Sequence, residues 1–201
     1  MKQLLLVASI AGLSLIGSAV AAGDAEAGKT KAAACAACHG PDGNSPAPMF
    51  PKIAGQHAGY LAKQLKEFKA GERVDATMNG MAAALSEQDM ADIGAYYAGQ
   101  KVSVGKAAED KVAMGETTYR AGNSATGVTA CAACHGPTGG GNPMARFPSL
   151  GGQHADYTVT QLKNFRSGAR ANDAGSMMRN IAKKMTDAEI EAVAQYIQGL
   201  N

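Results

Sequence analysis

Apolar side chains recur at helical spacing in two stretches that lie about a hundred residues apart. Leu61, Leu65 and Phe68 fall on one face of a helix, and Gly71 follows at a position where helices commonly end. Residues 157–168 repeat this pattern. No stretch alternates convincingly between apolar and polar residues over the length of a strand. The pattern therefore predicts an all-α protein.

Each half of the chain also begins and ends with a predicted helix. Residues 24–37 are rich in Ala with spaced charges, and residues 112–121 form a less regular counterpart. The last helix of each half starts at a capping-box signature, in which Ser86 or Thr186 is followed three residues later by an acidic side chain. Gly and Pro dominate the segments before the middle helices, which predicts long irregular loops there.

The two halves are copies of each other. The offset between matching residues is 96 at His39 and His135, 97 at the two Phe-Pro pairs, and 100 at Tyr96 and Tyr196. A duplication of this extent predicts two tandem domains that pack with pseudo-two-fold symmetry. We place the first domain at residues 22–103 and the second at residues 104–201.

The first 21 residues have the features of a signal peptide. Lys2 provides a positive start, residues 4–16 are apolar, and Ala19-Val20-Ala21 fits the small-x-small pattern of a cleavage site. This apolar run is shorter than the roughly 20 residues that a transmembrane helix needs. We therefore expect cleavage near Ala21 and a soluble protein in the periplasm.

Two identical pentapeptides carry the chemistry. Cys35-Ala-Ala-Cys38-His39 is the attachment signature of c-type haem. Its two thiols can add to the vinyl groups on one edge of a porphyrin, and the adjacent His is then held over the iron. Paired Cys-x-x-Cys motifs can also bind zinc, but zinc does not explain a His directly after each pair. The sequence thus predicts two covalently bound haem c groups, the second held by Cys131, Cys134 and His135.

Composition agrees with the presence of haem. The 201 residues include no Trp and only four Phe, but 25 Gly. Half-chains of roughly 90 residues with so few large side chains would bury a thin core. A haem in each domain supplies the missing apolar bulk.

Charge differs slightly between the halves. Residues 22–103 hold eight Lys and Arg against nine Asp and Glu, whereas residues 104–201 hold ten against eight, so the net charges of −1 and +2 differ by 3. Because charge mainly guides encounter, the difference favours docking of a partner on one domain first.

We expect no nucleic-acid partner, a monomer, and no enzymatic activity.

Each iron of a low-spin electron carrier needs a second axial ligand. Met78 and Met178 each lie eight residues before the cap of the last helix, and they are the pair of methionines that recurs in register. His57 and His154 recur as well and remain an alternative, although the role of a polar loop residue or of a cap at the start of the middle helix would also explain them. Methionine ligation would raise the reduction potential.

The chain contains two Cys-Ala-Ala-Cys-His-Gly motifs, the stretches FPKIAGQ and FPSLGGQ, and two C-terminal methionine segments. In these features it resembles the dihaem cytochrome c4 family. The resemblance covers both copies and implies two class I cytochrome c domains. It implies His and Met as iron ligands, and a loop proline carbonyl that accepts a hydrogen bond from the ligand histidine. Carried onto this sequence, these are His39 with Met78, His135 with Met178, and the carbonyl of Pro46 or Pro143.

The resemblance also implies a function. It indicates a periplasmic carrier of single electrons between respiratory complexes, with a quinol–cytochrome c oxidoreductase as donor and a haem–copper terminal oxidase as acceptor. The alternatives are an electron-delivery module of a larger dehydrogenase and a dihaem peroxidase. The peroxidase is disfavoured because dissimilar haem roles should leave dissimilar ligands. The sequence leaves open whether the protein also associates with the membrane surface.

Three further pairs of polar residues recur between the copies. Arg73 and Arg170 precede the methionines, and either pairing with haem propionates or exposure at a helix end would explain them. The remaining pairs lie on the middle helices and are candidates for contacts at a haem edge, contacts between the domains, or helix surface; they are Tyr60 with Tyr157 and Gln64 with Gln161.

Overall fold

A computed structural model describes residues 22–201, and the predicted signal peptide at residues 1–21 lies outside the described residues. The helices of the first half are α1 (Ala25–Lys31), α2 (Ala36–His39), α3 (Ala58–Ala70), α4 (Ala76–Ala83) and α5 (Glu87–Ala98). Those of the second half are α6 (Glu109–Ala121), α7 (Ala132–His135), α8 (Ala155–Ser167), α9 (Met177–Ala182) and α10 (Asp187–Gly199). Within residues 22–201 the only β pairing is two isolated bridges, which confirms the all-α prediction.

The predicted helix ends are confirmed. Gly71 and Gly168 follow α3 and α8 with φ of 75° and 83°, a left-handed conformation that glycine adopts without steric cost. Ser86 and Thr186 each form a complete capping box at the start of α5 and α10. These local signals fix where α3 and α8 end and where α5 and α10 begin.

The predicted helix at residues 24–37 is interrupted in the structure. α1 ends at Lys31, a 3₁₀ turn spans Ala32–Ala34, and α2 begins at Ala36. The change of pitch lies directly before the haem motif. In the second half, α6 begins at Glu109, three residues before the predicted start.

The first and last helices of each half cross at a glycine. α1 packs against α5, and α6 packs against α10. A Cβ atom at Gly28 would lie 2.0 Å from the carbonyl oxygen of Asp92, and one at Gly115 would lie 2.2 Å from that of Ala192. No other residue permits this approach, because the backbones themselves are in contact.

Each half buries one tyrosine ring at the centre of this crossing. Tyr97, on α5, packs against Tyr96 with ring centroids 5.0 Å apart. Tyr119, on α6, packs against Tyr196 at 5.5 Å. Both Tyr97 and Tyr119 are fully buried. The two rings therefore fill equivalent space although they come from different helices.

The exchange of helices is matched by an exchange of the facing residue. When Gly28 is aligned with Gly115, Ala32 corresponds to Tyr119, while Tyr97 corresponds to Ile197. All four residues belong to the cores of their halves. The first half thus has a small residue directly after its first helix and a ring on its last helix, and the second half has nearly the reverse, which conserves the buried ring.

The hydroxyl groups of these two rings differ. The hydroxyl of Tyr119 donates to the carbonyl oxygen of Gly136 at 2.7 Å. The hydroxyl of Tyr97 is buried and has no hydrogen-bond partner among the described residues; the thiol of Cys35 lies nearby but outside hydrogen-bonding geometry. Burial, and then the neighbouring thiol, raises the pKa of Tyr97 well above its usual range.

Two glutamines join the halves in a reciprocal pattern. The side chain of Gln56 accepts from the N–H of Ser149 at 3.0 Å and donates to its carbonyl oxygen at 2.9 Å. The side chain of Gln153 does the same with Lys52, at 2.9 and 2.8 Å. Since Lys52 and Ser149 are repeat-related, as are the glutamines, the contact has the predicted pseudo-two-fold symmetry.

The segment between the halves changes its contacts over two residues. The N–H of Ser103 donates to Asn44 at 2.7 Å, whereas the N–H of Gly105 donates to the carbonyl oxygen of Gln198 at 3.0 Å. We propose the boundary between residues 103 and 104 on this ground. Within residues 22–201, none of the helices is long and apolar enough to span a membrane.

The two tyrosine hydroxyls predict different effects of the same substitution. Tyr119→Phe should lower the free energy of unfolding by about 1 kcal/mol, because it removes a buried hydrogen bond and leaves the carbonyl of Gly136 with only the longer bond from the N–H of Gly139, at 3.2 Å. Tyr97→Phe should leave stability unchanged or raise it slightly, since it removes a buried hydroxyl that has no partner. Denaturant unfolding of both variants measures the difference, and an equal loss of stability in both would contradict the account.

Candidate haem sites

Both Cys-Ala-Ala-Cys-His motifs form a single helical turn. Cys35 lies at the start of α2, and the N–H of His39 donates to the carbonyl oxygen of Cys35 at 2.9 Å. The equivalent bond joins His135 to Cys131 in α7 at 2.9 Å. One turn of helix places the two thiols and the imidazole of each motif close together. All four cysteines are free and partly buried, the remaining two being Cys38 and Cys134.

Burial keeps the first thiol of each motif protonated. It raises the pKa of Cys35, and it raises that of Cys131 to about 11. These thiols are therefore not ionised at neutral pH. All four cysteines are also free, as thioether formation with a haem requires.

The two motif histidines are held in the same way. His39 and His135 are 8 % and 6 % exposed. Nδ1 of His39 lies 2.9 Å from the carbonyl oxygen of Pro51, and Nδ1 of His135 lies 2.9 Å from that of Pro148. A carbonyl can only accept, so Nδ1 carries the proton in both rings and Nε2 has a free lone pair.

The electrostatics of the rings agree with this tautomer. Burial lowers the pKa of His39 and of His135, and the hydrogen bond to the proline carbonyl opposes that shift without cancelling it. Both rings are therefore neutral at pH 7, as a metal-ligating imidazole must be. Among the described residues neither Nε2 atom makes a hydrogen bond.

The prediction that Pro46 or Pro143 supplies the acceptor is wrong. Both prolines lie exposed in the loops after the motifs, whereas the acceptors belong to the Phe-Pro pairs further along. Phe50 and Phe147 pack near the histidine rings, with centroid separations of 6.4 and 6.2 Å. Packing of each Phe side chain thus brings the carbonyl of the following proline to the imidazole. The recurrence of the Phe-Pro pair in both halves is the sequence feature that indicates this carbonyl.

The two predicted methionine ligands occupy equivalent helices. Met78 lies in the first turn of α4, where its N–H donates to Asp75 at 2.9 Å, and Met178 lies in the first turn of α9. Both are half-buried. α4 packs against α3, and α9 packs against α8. The three additional residues of the second copy lie between Arg170 and Met178, in a segment that includes a 3₁₀ turn at Ala174–Ser176 before α9.

The alternative ligands lie at the contact between the halves. His57 and His154 occupy the caps of α3 and α8, but neither side chain caps its helix, so the capping explanation is wrong. Nε2 of His154 lies 2.9 Å from the carbonyl oxygen of Ser45 in the other half. Nε2 of His57 is buried and has no partner among the described residues.

The recurring arginines lie in a cluster that crosses between the halves. Arg73 and Arg170 are each 8 % exposed, so of the two alternatives left open for them, exposure at a helix end is wrong. Arg73 donates to Gln64 at 2.7 Å and to Tyr157 of the other half at 2.8 Å. The bonds of Arg170 are the counterparts, to Gln161 at 2.8 Å and to Tyr60 at 3.0 Å. Each arginine also reaches the glutamine of the other half, Arg73 to Gln161 and Arg170 to Gln64, both at 3.1 Å. Of the alternatives left open for these tyrosines and glutamines, contacts between the domains are therefore the one that the structure shows.

This cluster is rich in positive charge. The guanidinium groups of Arg73 and Arg170 also lie over the rings of Phe68 and Phe165, at 4.6 and 4.5 Å from the centroids. Neither guanidinium forms a salt bridge among the described residues. Buried cations of this kind need compensation. Pairing with haem propionates stays a prediction for both arginines.

The residues of each half fit a covalently attached haem. A neutral imidazole with a free Nε2, two adjacent free thiols and a backbone acceptor on the far nitrogen are the donor set that this cofactor requires. The set occurs twice with matching geometry. The protein therefore has two equivalent sites.

Comparison with known proteins agrees with these sites. The family model described as Cytochrome c matches residues 25–99 and 115–201. Cytochrome c4 of Pseudomonas aeruginosa is 52% identical over 198 residues, which cover 98% of each chain. The crystal structure of reduced recombinant cytochrome c4 from Pseudomonas stutzeri superposes with a TM-score of 0.87 at 51% identity, covering 90% of this chain and 100% of that chain.

A further relative has a more specific description. The thiosulfate dehydrogenase electron acceptor of Stutzerimonas stutzeri is 41% identical over 170 residues, covering 82% of this chain and 78% of the relative. The identity to cytochrome c4 proteins is higher and extends over nearly the whole length. On these matches and on the repeated haem site, the chain belongs to the cytochrome c4 family, whose members are electron carriers with two cytochrome c domains and two covalently bound haem c groups.

Proposed function

We propose that the protein carries one electron on each of two haems whose irons are both six-coordinate. In this proposal Cys35, Cys38, Cys131 and Cys134 form the thioether bonds. His39 and Met78 ligate one iron, and His135 and Met178 ligate the other. The observation that carries the proposal is the duplicated histidine geometry, with 2.9 Å between Nδ1 and a proline carbonyl in both halves.

The protein residues keep each motif histidine in one protonation state and one orientation. Haem iron supplies a centre that changes between ferrous and ferric by one electron. Burial keeps His39 and His135 neutral, and the carbonyls of Pro51 and Pro148 fix the orientation of the rings. Ligands that stay in place through the cycle avoid rearrangement, which suits electron transfer rather than bond chemistry.

The choice of methionine over histidine has structural support. Met78 and Met178 recur in register at the start of equivalent helices. Nε2 of His154 is engaged by a carbonyl of the other half, whereas Nε2 of His57 has no partner among the described residues, so this support applies to the second half. A dihaem peroxidase would need one iron with an open position, and two matching donor sets argue against that division of roles.

Periplasmic electron transfer between respiratory complexes is the pathway we propose. The predicted signal peptide at residues 1–21 supports export. A quinol–cytochrome c oxidoreductase would be the donor and a haem–copper terminal oxidase the acceptor. The second candidate is delivery of electrons from a dehydrogenase, favoured by the likeness to a thiosulfate dehydrogenase electron acceptor. A stable complex with a dehydrogenase on purification would favour that candidate over a free shuttle.

The charge that would guide docking is concentrated beside the proposed methionine ligands. Residues 74–85 carry a single charge, that of Asp75, whereas residues 174–185 carry three basic side chains and no acid. The net charges of these two segments, −1 and +3, differ by 4, whereas the net charges of the whole halves differ by only 3. The basic residues of the second segment are Arg179, Lys183 and Lys184.

Most of that positive charge is accessible to a partner. Lys183 and Lys184 are exposed, whereas Arg179 is paired with Asp173 at 2.7 Å. Ala83 and Ala84 take the equivalent positions in the first half and are also exposed. We therefore propose that an acidic partner docks on the second half, beside α9.

Substitution of the proposed methionine ligands tests the electron-carrier site. Met78→Ala and Met178→Ala should each remove about half of the long-wavelength absorption band that methionine sulfur gives with ferric haem, and should lower the potential of one haem. The matched controls are Met81→Ala and Met177→Ala, which alter neighbouring methionines that are 43% and 44% exposed. A band that survives both ligand substitutions, or that falls equally in the controls, would refute the assignment.

Charge exchange between the halves tests the docking face. With hexacyanoferrate(III) as an anionic oxidant at about 10 mM ionic strength, the double variant Lys183→Gln/Lys184→Gln should be oxidised about two- to fivefold more slowly. The double variant Ala83→Lys/Ala84→Lys should be oxidised faster. The control Lys106→Gln/Lys111→Gln has the same net charge as the first variant but lies on or beside α6. Equal slowing in this control would show that net charge alone matters and would contradict the local face.

A further inference from the structure

One peptide group in the first half takes part in two hydrogen bonds that lead to different halves. The carbonyl oxygen of Pro51 accepts from Nδ1 of His39 at 2.9 Å. The N–H of the same peptide group belongs to Lys52 and donates to Oε1 of Gln153 at 2.9 Å. Because the peptide group is planar and conjugated, both bonds act on one electronic unit.

The second half repeats the arrangement with the roles of the halves exchanged. The carbonyl oxygen of Pro148 accepts from Nδ1 of His135 at 2.9 Å. The N–H of that peptide group belongs to Ser149 and donates to Oε1 of Gln56 at 3.0 Å. Each motif histidine is thus two hydrogen bonds away from a glutamine of the other half.

Both glutamine side chains are fixed in orientation. Oε1 of Gln153 also accepts from the N–H of His154 at 3.0 Å, and its Nε2 donates to the carbonyl oxygen of Lys52 at 2.8 Å. Gln56 makes the corresponding bonds, with its Oε1 accepting from the N–H of His57 at 3.0 Å. Three hydrogen bonds leave neither amide free to rotate. The acceptor atom therefore stays directed at the peptide N–H.

We propose that each glutamine is a positioning residue for the haem of the other half. Gln153 sets the hydrogen bond that His39 makes, and Gln56 sets the bond that His135 makes. The inference rests on the proposed function, in which these two histidines ligate iron. It adds a route by which contact between the halves adjusts each haem.

The direction of the effect follows from polarisation. A peptide whose N–H is donated to Gln has a more negative carbonyl oxygen, since hydrogen bonds in a chain strengthen one another. The carbonyl then draws the Nδ1 proton more strongly and makes the imidazole a better electron donor to the metal. A more electron-rich ligand stabilises ferric iron, so the glutamine lowers the reduction potential of the haem in the other half.

Replacement of each glutamine by leucine tests the crossed relation. Gln153→Leu should change the reduction equilibrium of the first-half haem about threefold, a rise of roughly 30 mV for one electron, with a smaller effect on the second-half haem. Gln56→Leu, the matched variant, should do the reverse. A redox titration followed through hyperfine-shifted NMR signals resolves the two haems, and contacts with Phe50 or Phe147 assign each signal to its half.

Replacement by glutamate gives a second variant with the opposite sign. Gln153→Glu keeps an acceptor oxygen and adds negative charge to it, so the potential of the first-half haem should fall. A general loosening of the contact between the halves would not reverse the sign between leucine and glutamate. Gln153→Glu and the matched variant Gln56→Glu also keep the test available if the leucine variants do not fold.

Three results would overturn the inference: a shift confined to the haem of the substituted half, equal shifts in both haems, or no shift. These results are distinguishable from failure of the proposed function. If the unsubstituted protein lacks the low-spin spectrum of histidine–methionine haem, the ligand assignment is wrong. If that spectrum is present and the shifts are not crossed, only the role of the glutamines is wrong.

Discussion

The hydrogen bond between a buried imidazole and a proline carbonyl is the interaction on which both halves of this protein depend. It fixes the tautomer of His39 and His135 and directs Nε2 away from the backbone. The fold is arranged around this bond. The motif turn supplies the ring, packing of Phe50 or Phe147 brings up the carbonyl, and a glutamine of the other half holds the same peptide group. Two haem sites and the contact between the halves therefore share one set of hydrogen bonds.

Duplication preserved this geometry while the surroundings diverged. The buried ring at the helix crossing comes from α5 in the first half and from α6 in the second, and the residue opposite it changed to match. The segments that carry Met78 and Met178 differ by four charges although they occupy equivalent helices. The core packing and the hydrogen-bond geometry of the motif histidines were thus retained. The surface beside the methionines is where the two halves differ most in charge. That division agrees with a protein in which both haem sites do the same chemistry.

Local features of the fold could be predicted from sequence, while contacts between distant segments could not. Capping boxes at Ser86 and Thr186 and the glycines that end α3 and α8 depend on a few adjacent residues, and all are confirmed. The resemblance indicates the wrong proline as carbonyl acceptor, since every residue has a backbone carbonyl and only the packing of Phe50 and Phe147 shows which one reaches the imidazole. The sequence also leaves open whether Arg73 and Arg170 are exposed or paired, since each guanidinium bonds to a tyrosine more than 80 residues away in the chain. The recurrence of Gln56 and Gln153 was visible in the repeat, but their partners are backbone groups of the other copy, which sequence does not specify.

The most direct test of the central claim, two equivalent haems with histidine and methionine ligands, is the absorption spectrum of the purified oxidised protein together with a count of haem per chain. We expect two haems per chain, a low-spin spectrum, and a methionine–iron band of the strength that two ligated sulfurs give. A band of half that strength, or high-spin features, would mean that one iron is ligated differently. The equivalence of the two sites would then be contradicted.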